Sequence, residues 1–344
     1  MESRAVTGSL LGTAVGDAMG LAFEGLGARR ASRLFKGPLR HRLIAGKGMV
    51  SDDTEHACFT ARALILARGD VDAFGRHLAS SLRWWLAGLP AGIGLATLRS
   101  ILKSCVGFPP QRSGVFSAGN GPAMRSAIIG VALGAAPAQM VAFVRRSTLL
   151  THSDPKAFHG ALAVALAAHC AATACAGNFM ASLEALMANE SASGEFLSLA
   201  QRAALSASRG EGLAVFAESI GSRGGISGYM LHTVPCVLQV WFRHGNDFAA
   251  GVAEIIAAGG DTDTAGAIFG GIAGAGCGKE GIPPDWIGGI VEWPRSTAWI
   301  ERLGEALANG GDVPRYFVPG IPLRNAVFML IVLAHGFRRL APPY

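Results

Sequence analysis

Charge is scarce in this chain of 344 residues: Asp, Glu, Lys and Arg together make up 16%, while half the residues are hydrophobic. A large core can therefore be buried, and the modest net charge of +6 does not mark a nucleic-acid binder, although it suits an anionic substrate. Convincing period-two alternation is missing, which argues against a sheet-based fold. No fixed-period repeat is present, and no shift in composition divides the chain. The six cysteines (Cys58, Cys105, Cys170, Cys175, Cys236 and Cys277) form no C-x-x-C pair and mostly fall in apolar runs, so they read as buried reduced thiols. The first residues, MESRAVTGSLLG, lack a basic head followed by a long apolar core, so no signal peptide is expected and a cytoplasmic protein is. Near the other end, residues 326–334 are strongly apolar but fall short of the roughly 20 residues of a membrane span. A buried terminal helix and no membrane partner are the expectation.

What the chain has in abundance is glycine, at 47 residues, together with alanine in helix-like runs that imply closely packed helices. The spacing predicts helices over 7–24, 55–67, 71–86, 123–133, 137–149, 155–175, 178–189, 195–208, 229–244, 248–258 and 296–308, with a loop over 103–122 and a glycine-rich turn over 221–228. The fold class is all-α, with one compact domain over 1–310 and a C-terminal loop and apolar helix over 311–344 packed on it.

The chemistry concentrates in two places. Gly259 and Gly260 make a tight turn, and Asp261, Thr262, Asp263 and Thr264 then crowd carboxylates and hydroxyls at a helix start. Ser51, Asp52, Asp53 and Thr54 repeat that character about two hundred residues upstream. Either cluster alone reads as a helix cap, because Asp, Ser and Thr are favoured N-cap residues and negative charge suits the helix N-terminus. Two such clusters point to a shared ligand. Oxygen-only sets suit Mg²⁺, Mn²⁺ or Ca²⁺, whereas zinc recruits the His and Cys absent from both. Four carboxylates in one place repel one another, and two divalent ions would balance them. Gly119, Asn120 and Gly121 form either a plain turn or a phosphate cradle ahead of a helix. Tyr229, one of three tyrosines, offers a ring for a base or ribose, or is a half-buried helix residue. His159, His169 and His232 read as core histidines. The segment 29–47 carries seven Lys and Arg and no acid, either as a solvated face or as a positive rim.

The segments GTAVGDAMGLAFE (12–24), SDDT (51–54), GNGPAMR (119–125), THSDP (151–155), Gly228 with Tyr229, and GGDTDT (259–264) together resemble the ADP-ribosylglycohydrolase family. The resemblance spans most of residues 7–290. It implies a single helical domain, two Mg²⁺ or Mn²⁺ ions, and hydrolysis of the glycosidic bond joining ADP-ribose to a modified protein side chain or small molecule. By position it makes Ser51, Asp52, Asp53, Asp261, Asp263 and Thr264 metal ligands, with Ser51 standing where Thr is usual. Glu24, Asp53 and Asp261 become the catalytic residues. Gly119, Asn120, Gly121, His152 and Tyr229 contact ADP-ribose, and Asp17 takes a structural part. A phosphohydrolase or deacylase of an ADP-ribose metabolite, and a non-catalytic ADP-ribose-binding protein, are the competing expectations. A monomer is expected, with nucleic acid not favoured as a partner.

Overall fold

The computed structural model describes residues 2–342, so Met1, Pro343 and Tyr344 of the expected segments lie outside the described residues. In chain order the helices are α1 (Ser3–Gly20), α2 (Ala28–Leu34), α3 (Asp52–Ala67), α4 (Val71–Ala87), α5 (Leu95–Cys105), α6 (Ala127–Leu133), α7 (Pro137–Leu149), α8 (Pro155–Ala172) and α9 (Phe179–Met187). There follow α10 (Ser193–Ser208), α11 (Leu213–Ser219), α12 (Met230–His244), α13 (Phe248–Ala258), α14 (Thr262–Cys277), α15 (Pro284–Gly288), α16 (Thr297–Asn309) and α17 (Gly320–Arg338). The fold is all-α, as the periodicity predicts.

Its axis is the antiparallel pair α1 and α14. Both carry glycine at every fourth residue, which lines one helix face. Cβ atoms built on Gly12 and Gly16 would stand 2.1 and 1.9 Å from the carbonyl oxygens of Gly270 and Gly266. Gly8 faces Gly274 in the same way, and Gly20 faces Thr262. Backbone therefore packs on backbone, and any side chain in the seam would force the helices apart. The register sets the C-terminal end of α1 beside the N-terminal end of α14. The Thr262 hydroxyl donates to the Gly20 carbonyl across that end at 2.9 Å.

Several local expectations are corrected. α5 occupies part of the ground assigned to a loop, and α2, α11 and α15 were not expected. Gly259 and Gly260 are more than a turn: they pair antiparallel with Leu26 and Gly27 as a two-residue ladder. Both have left-handed φ, +74° and +87°, and a Cβ on Gly260 would meet the Ile226 carbonyl oxygen at 2.0 Å. Only glycine fits there. Of the cysteines, Cys58, Cys170 and Cys236 are buried, but Cys175 and Cys277 are half-buried and Cys105 is exposed. His159 is a core residue, whereas His169 and His232 are only half-buried, and His232 Nδ1 bonds the Ser227 hydroxyl.

The terminal helix overturns its expectation most clearly. α17 runs 19 residues, and the side it turns inward carries Gly320, Arg324, Asn325, Phe328 and His335. Its polar residues are inside because each has a fixed partner. Arg324 pairs with Glu292 at 2.6 Å and donates to the Val50 carbonyl, also at 2.6 Å. Asn325 donates to the Gly88 carbonyl at 2.7 Å, and His335 Nε2 lies 2.9 Å from the Ala22 carbonyl. Along the same helix Leu323, Val327, Leu330 and Leu333 face solvent, while Ile331 and Val332 are half-buried against the core.

Candidate functional site

The first acidic cluster sits at the N-terminus of α3 and is held by α1. Asp17, fully buried, accepts hydrogen bonds from the backbone N–H of Ser51 (3.0 and 2.9 Å) and of Thr54 (3.1 Å), and from the Thr54 hydroxyl (2.5 Å). These are orphan donors of the first turn of α3, satisfied from another helix. Burial pushes the Asp17 carboxyl up to about 7 against those bonds. Ser51 is the N-cap, its oxygen accepting from the Asp53 N–H at 3.2 Å while its hydroxyl donates to Asp53 Oδ2 at 3.0 Å.

The second cluster opens α14, and the glycine seam brings it against the first. The Thr264 hydroxyl donates to Asp53 Oδ2 at 3.2 Å, a direct bond between segments 211 residues apart. Asp53, Asp263 and Thr264 are buried, Asp52 and Asp261 half-buried, and Glu24 is exposed at the rim. Burial, and then the neighbouring carboxylates, raise Asp52, Asp53 and Asp263 well above the ordinary carboxylate range. Protein packed around Glu24, together with Asp261, raises Glu24 as well.

Such crowding of acids has no stabilising role in an apolar setting. Among the described residues no three His, Cys, Asp or Glu side chains close into a ready-made ligand set. Yet Asp53 Oδ1 and Asp263 Oδ1 are buried without a hydrogen-bond partner. Two orphaned carboxylate oxygens flanked by hydroxyls, in a floor where four carboxylates crowd together, fit hard divalent cations.

Above these acids opens a cleft of about 650 Å³, lined by Glu24, Asp52, Asp261, Asp263, Thr264, Gly119, Asn120, Gly121 and His152 among others. Asn120 Nδ2 donates to Asp261 Oδ2 at 2.6 Å and to the Thr233 hydroxyl at 3.0 Å, tying the glycine loop to the second cluster. Beneath that loop lies Arg125, wholly buried and without a carboxylate partner among its hydrogen bonds. It donates to the Ser147 and Gly121 carbonyls and to the Ser147 and Thr151 hydroxyls. Burial lowers its guanidinium to about 9.

Thr151 accepts from Arg125 at 2.7 Å and touches His152 Nδ1 at 2.8 Å. Assigning the Thr151 hydroxyl proton to Nδ1 places the ring hydrogen of neutral His152 on Nε2. Burial, reinforced by Arg125, lowers His152 to about 3, so it is a neutral donor. Nε2 stands beside Gly119, 3.0 Å from where a Cβ would be.

The structure thus gathers every expected site residue but one around the cleft or directly under its floor, where Ser51 and Asp53 lie. Tyr229 is the exception. Its backbone bridges to Gly119, but its hydroxyl accepts from Lys156 at 3.1 Å and its ring packs edge-on against His232. Missed from the sequence was the wall formed by Gly92, Gly94, Leu95, Ala96 and Thr97. Gly94 caps α5 with no side-chain hydrogen bond, which leaves the first N–H groups of that helix open beside the cleft. The run AGIGLAT, with two glycines ahead of a helical pattern, was the available signal.

A helical body with an oxygen-rich acidic floor and a rim of glycine turns and an open helix start outlines a hydrolase-like site, and the comparisons make it specific. The family described as ADP-ribosylglycohydrolase matches residues 2–316. This chain belongs to that family, whose members are hydrolases of ADP-ribosylated substrates. It is 31% identical over 306 residues to an uncharacterized protein of Archaeoglobus fulgidus, covering 87% of this chain and 94% of the relative. To the ADP-ribosyl-[dinitrogen reductase] glycohydrolase of Rhodospirillum rubrum it is 25% identical over 295 residues, covering 81% and 88%. A solved structure titled "ADP-ribosylglycohydrolase-related protein complex" superposes with a TM-score of 0.65 at 26% identity, covering 90% of this chain and 98% of the other.

Proposed function

We propose that this chain is a divalent-metal-dependent hydrolase that releases ADP-ribose from a modified side chain or related acceptor by cleaving the glycosidic bond at the anomeric carbon. The observation that carries this reading is the hydrogen bond from Thr264 to Asp53, which merges two acidic helix starts into one floor with orphaned carboxylate oxygens. Ser51, Asp52, Asp53, Asp261, Asp263 and Thr264 would hold two Mg²⁺ or Mn²⁺ ions. When bound, such ions supply Lewis-acid stabilisation and lower the pKa of a coordinated water.

The remaining roles belong to this chain's own groups. The Gly119 N–H goes to Ser117 Oγ and the Asn120 N–H to the Gly228 carbonyl, so it is the Gly121 N–H and the open N-terminus of α5 that receive the negative charge of the diphosphate. His152 Nε2–H donates to a ribose or phosphate oxygen beside Gly119, and its low proton affinity keeps it in that form across the physiological range. Asn120 fixes the Asp261 carboxylate by occupying Oδ2. Glu24, raised by its surroundings and standing at the rim, can hand a proton to a leaving group and take one from water. Cleavage builds positive charge at the anomeric carbon.

The test follows ADP-ribose release from arginine-linked and serine-linked substrates with Mg²⁺, with EDTA, and in Asp53→Ala. Release of free ADP-ribose that stops with EDTA and falls by roughly two to three orders of magnitude in the variant is expected. AMP or acetate as product, or release indifferent to both treatments, contradicts the proposal.

A further inference from the structure

The outer face of α17 is inside-out. Leu323, Val327, Leu330, Leu333 and Phe337 are 44–69% exposed and follow one another at three- and four-residue steps, one continuous stripe along the helix. From Gly320 to Phe337 the only charged residue is Arg324, and that one is buried. An exposed apolar stripe of this length marks an interaction site.

Against this stripe lies the most basic stretch of the chain. Residues 25–51 hold seven Lys and Arg and no Asp or Glu. The two regions touch: Arg42, Leu43, Ile44 and Ala45 share one open hollow with Val327, Leu330, Ile331, Ala334 and Arg338. Phe35 stacks on His335, their ring centroids 6.0 Å apart, and Arg30 donates to the Arg339 carbonyl. Arg42 and Lys47 likewise donate to backbone carbonyls, so those bonds leave their charge uncompensated. Arg338 and Arg339 add two cations at the same end.

We propose that this face is a docking surface for an anionic lipid bilayer, with the aliphatic stripe entering the headgroup boundary and the basic segment meeting lipid phosphates. An apolar face and an adjoining cationic cluster are the two signals that peripheral attachment requires. A second copy of the chain fits poorly, because a two-fold contact would set each acid-free segment against a like-charged one. The helix lies on the bilayer and does not span it. Withdrawing it from the body would strip buried Glu292 of Arg324 and Gly88 of Asn325. This reading is independent of the catalytic proposal.

The test is flotation of the full chain with vesicles of phosphatidylcholine alone and of phosphatidylcholine with phosphatidylglycerol, at low and high salt, alongside its mass in solution. Binding to the anionic vesicles is expected to be at least about tenfold tighter than to the neutral ones and to weaken by a similar factor at high salt. The double variant Leu330→Glu, Phe337→Glu should lose binding while keeping its melting temperature and its ADP-ribose release. Arg40→Glu with Arg42→Glu should weaken binding without abolishing the fold. Failure of the wild-type chain to float with anionic vesicles, equal binding to neutral ones, or retained binding in the Leu330→Glu, Phe337→Glu variant overturns the proposal. A dimer dissolved by that variant, with no lipid binding, assigns the face to a second copy instead.

Discussion

Among the described residues, α1 and α17 are the two helices long and apolar enough to cross a membrane by length and composition, and they end in opposite surroundings. The apolar window of α1 is completely buried, while that of α17 is 28% buried. Apolarity alone therefore did not decide burial. α1 is buried because its glycines match those of α14, so two backbones meet without intervening side chains. α17 is fastened by its few polar residues, each aimed at a fixed acceptor or carboxylate, and most of its aliphatic residues are left outward. The first arrangement builds the site, because it superimposes the C-terminal end of α1 on the start of α14. The second leaves a surface.

Substitutions can sharpen that contrast. The largest effect is expected from Gly16→Leu, which drives a side chain into the Gly266 backbone and should destabilise the protein by roughly 3 kcal/mol or more, read by chemical denaturation. Equal stability would mean the seam can open. Next, Arg324→Ala leaves Glu292 buried without its cation, and a loss of about 3 kcal/mol is expected in the same assay. A loss below about 1 kcal/mol would show that polar anchors do not hold α17.

A smaller effect concerns pH. His152 binds its proton more weakly when folded, at about 3 against an ordinary 6.5, so the unfolded chain takes up more protons in that window. The stability contributed by neutral His152 is complete above about 6.5 and falls as pH drops toward 3. The difference in melting temperature between the wild type and His152→Gln should therefore shift against the wild type between pH 7 and pH 5. A constant difference would contradict a buried neutral imidazole. The smallest effect is expected for Leu323→Ser on the outer face of α17, within about 0.5 kcal/mol of the wild type.

Much of the site was legible because its residues are locally unusual. Carboxylates and hydroxyls crowded at two helix starts, and glycines at 119 and 121, carry their chemistry in a few adjacent positions. The pairing partners were not legible. Nothing in the sequence around Asp17 names Ser51 and Thr54 as its donors, since that contact depends on how α1 and α3 cross. The glycines of α1 and α14 read as close packing, but their mutual register is a property of two distant segments. Tyr229 enters the expected site only through its position in the chain, and the structure turns its hydroxyl toward Lys156. For α17 the reason is general: a run of Leu, Val and Phe speaks for burial only when an element exists to cover it.

The account rests on Asp53 and Asp261 serving one shared centre, and calorimetric titration of Mn²⁺ into the wild type, Asp53→Ala and Asp261→Ala tests it most directly. Two ions per chain are predicted for the wild type, with binding weakened at both positions by either substitution. Undiminished binding in either variant, or independent loss of a single ion from each, would contradict a centre built jointly by the two clusters.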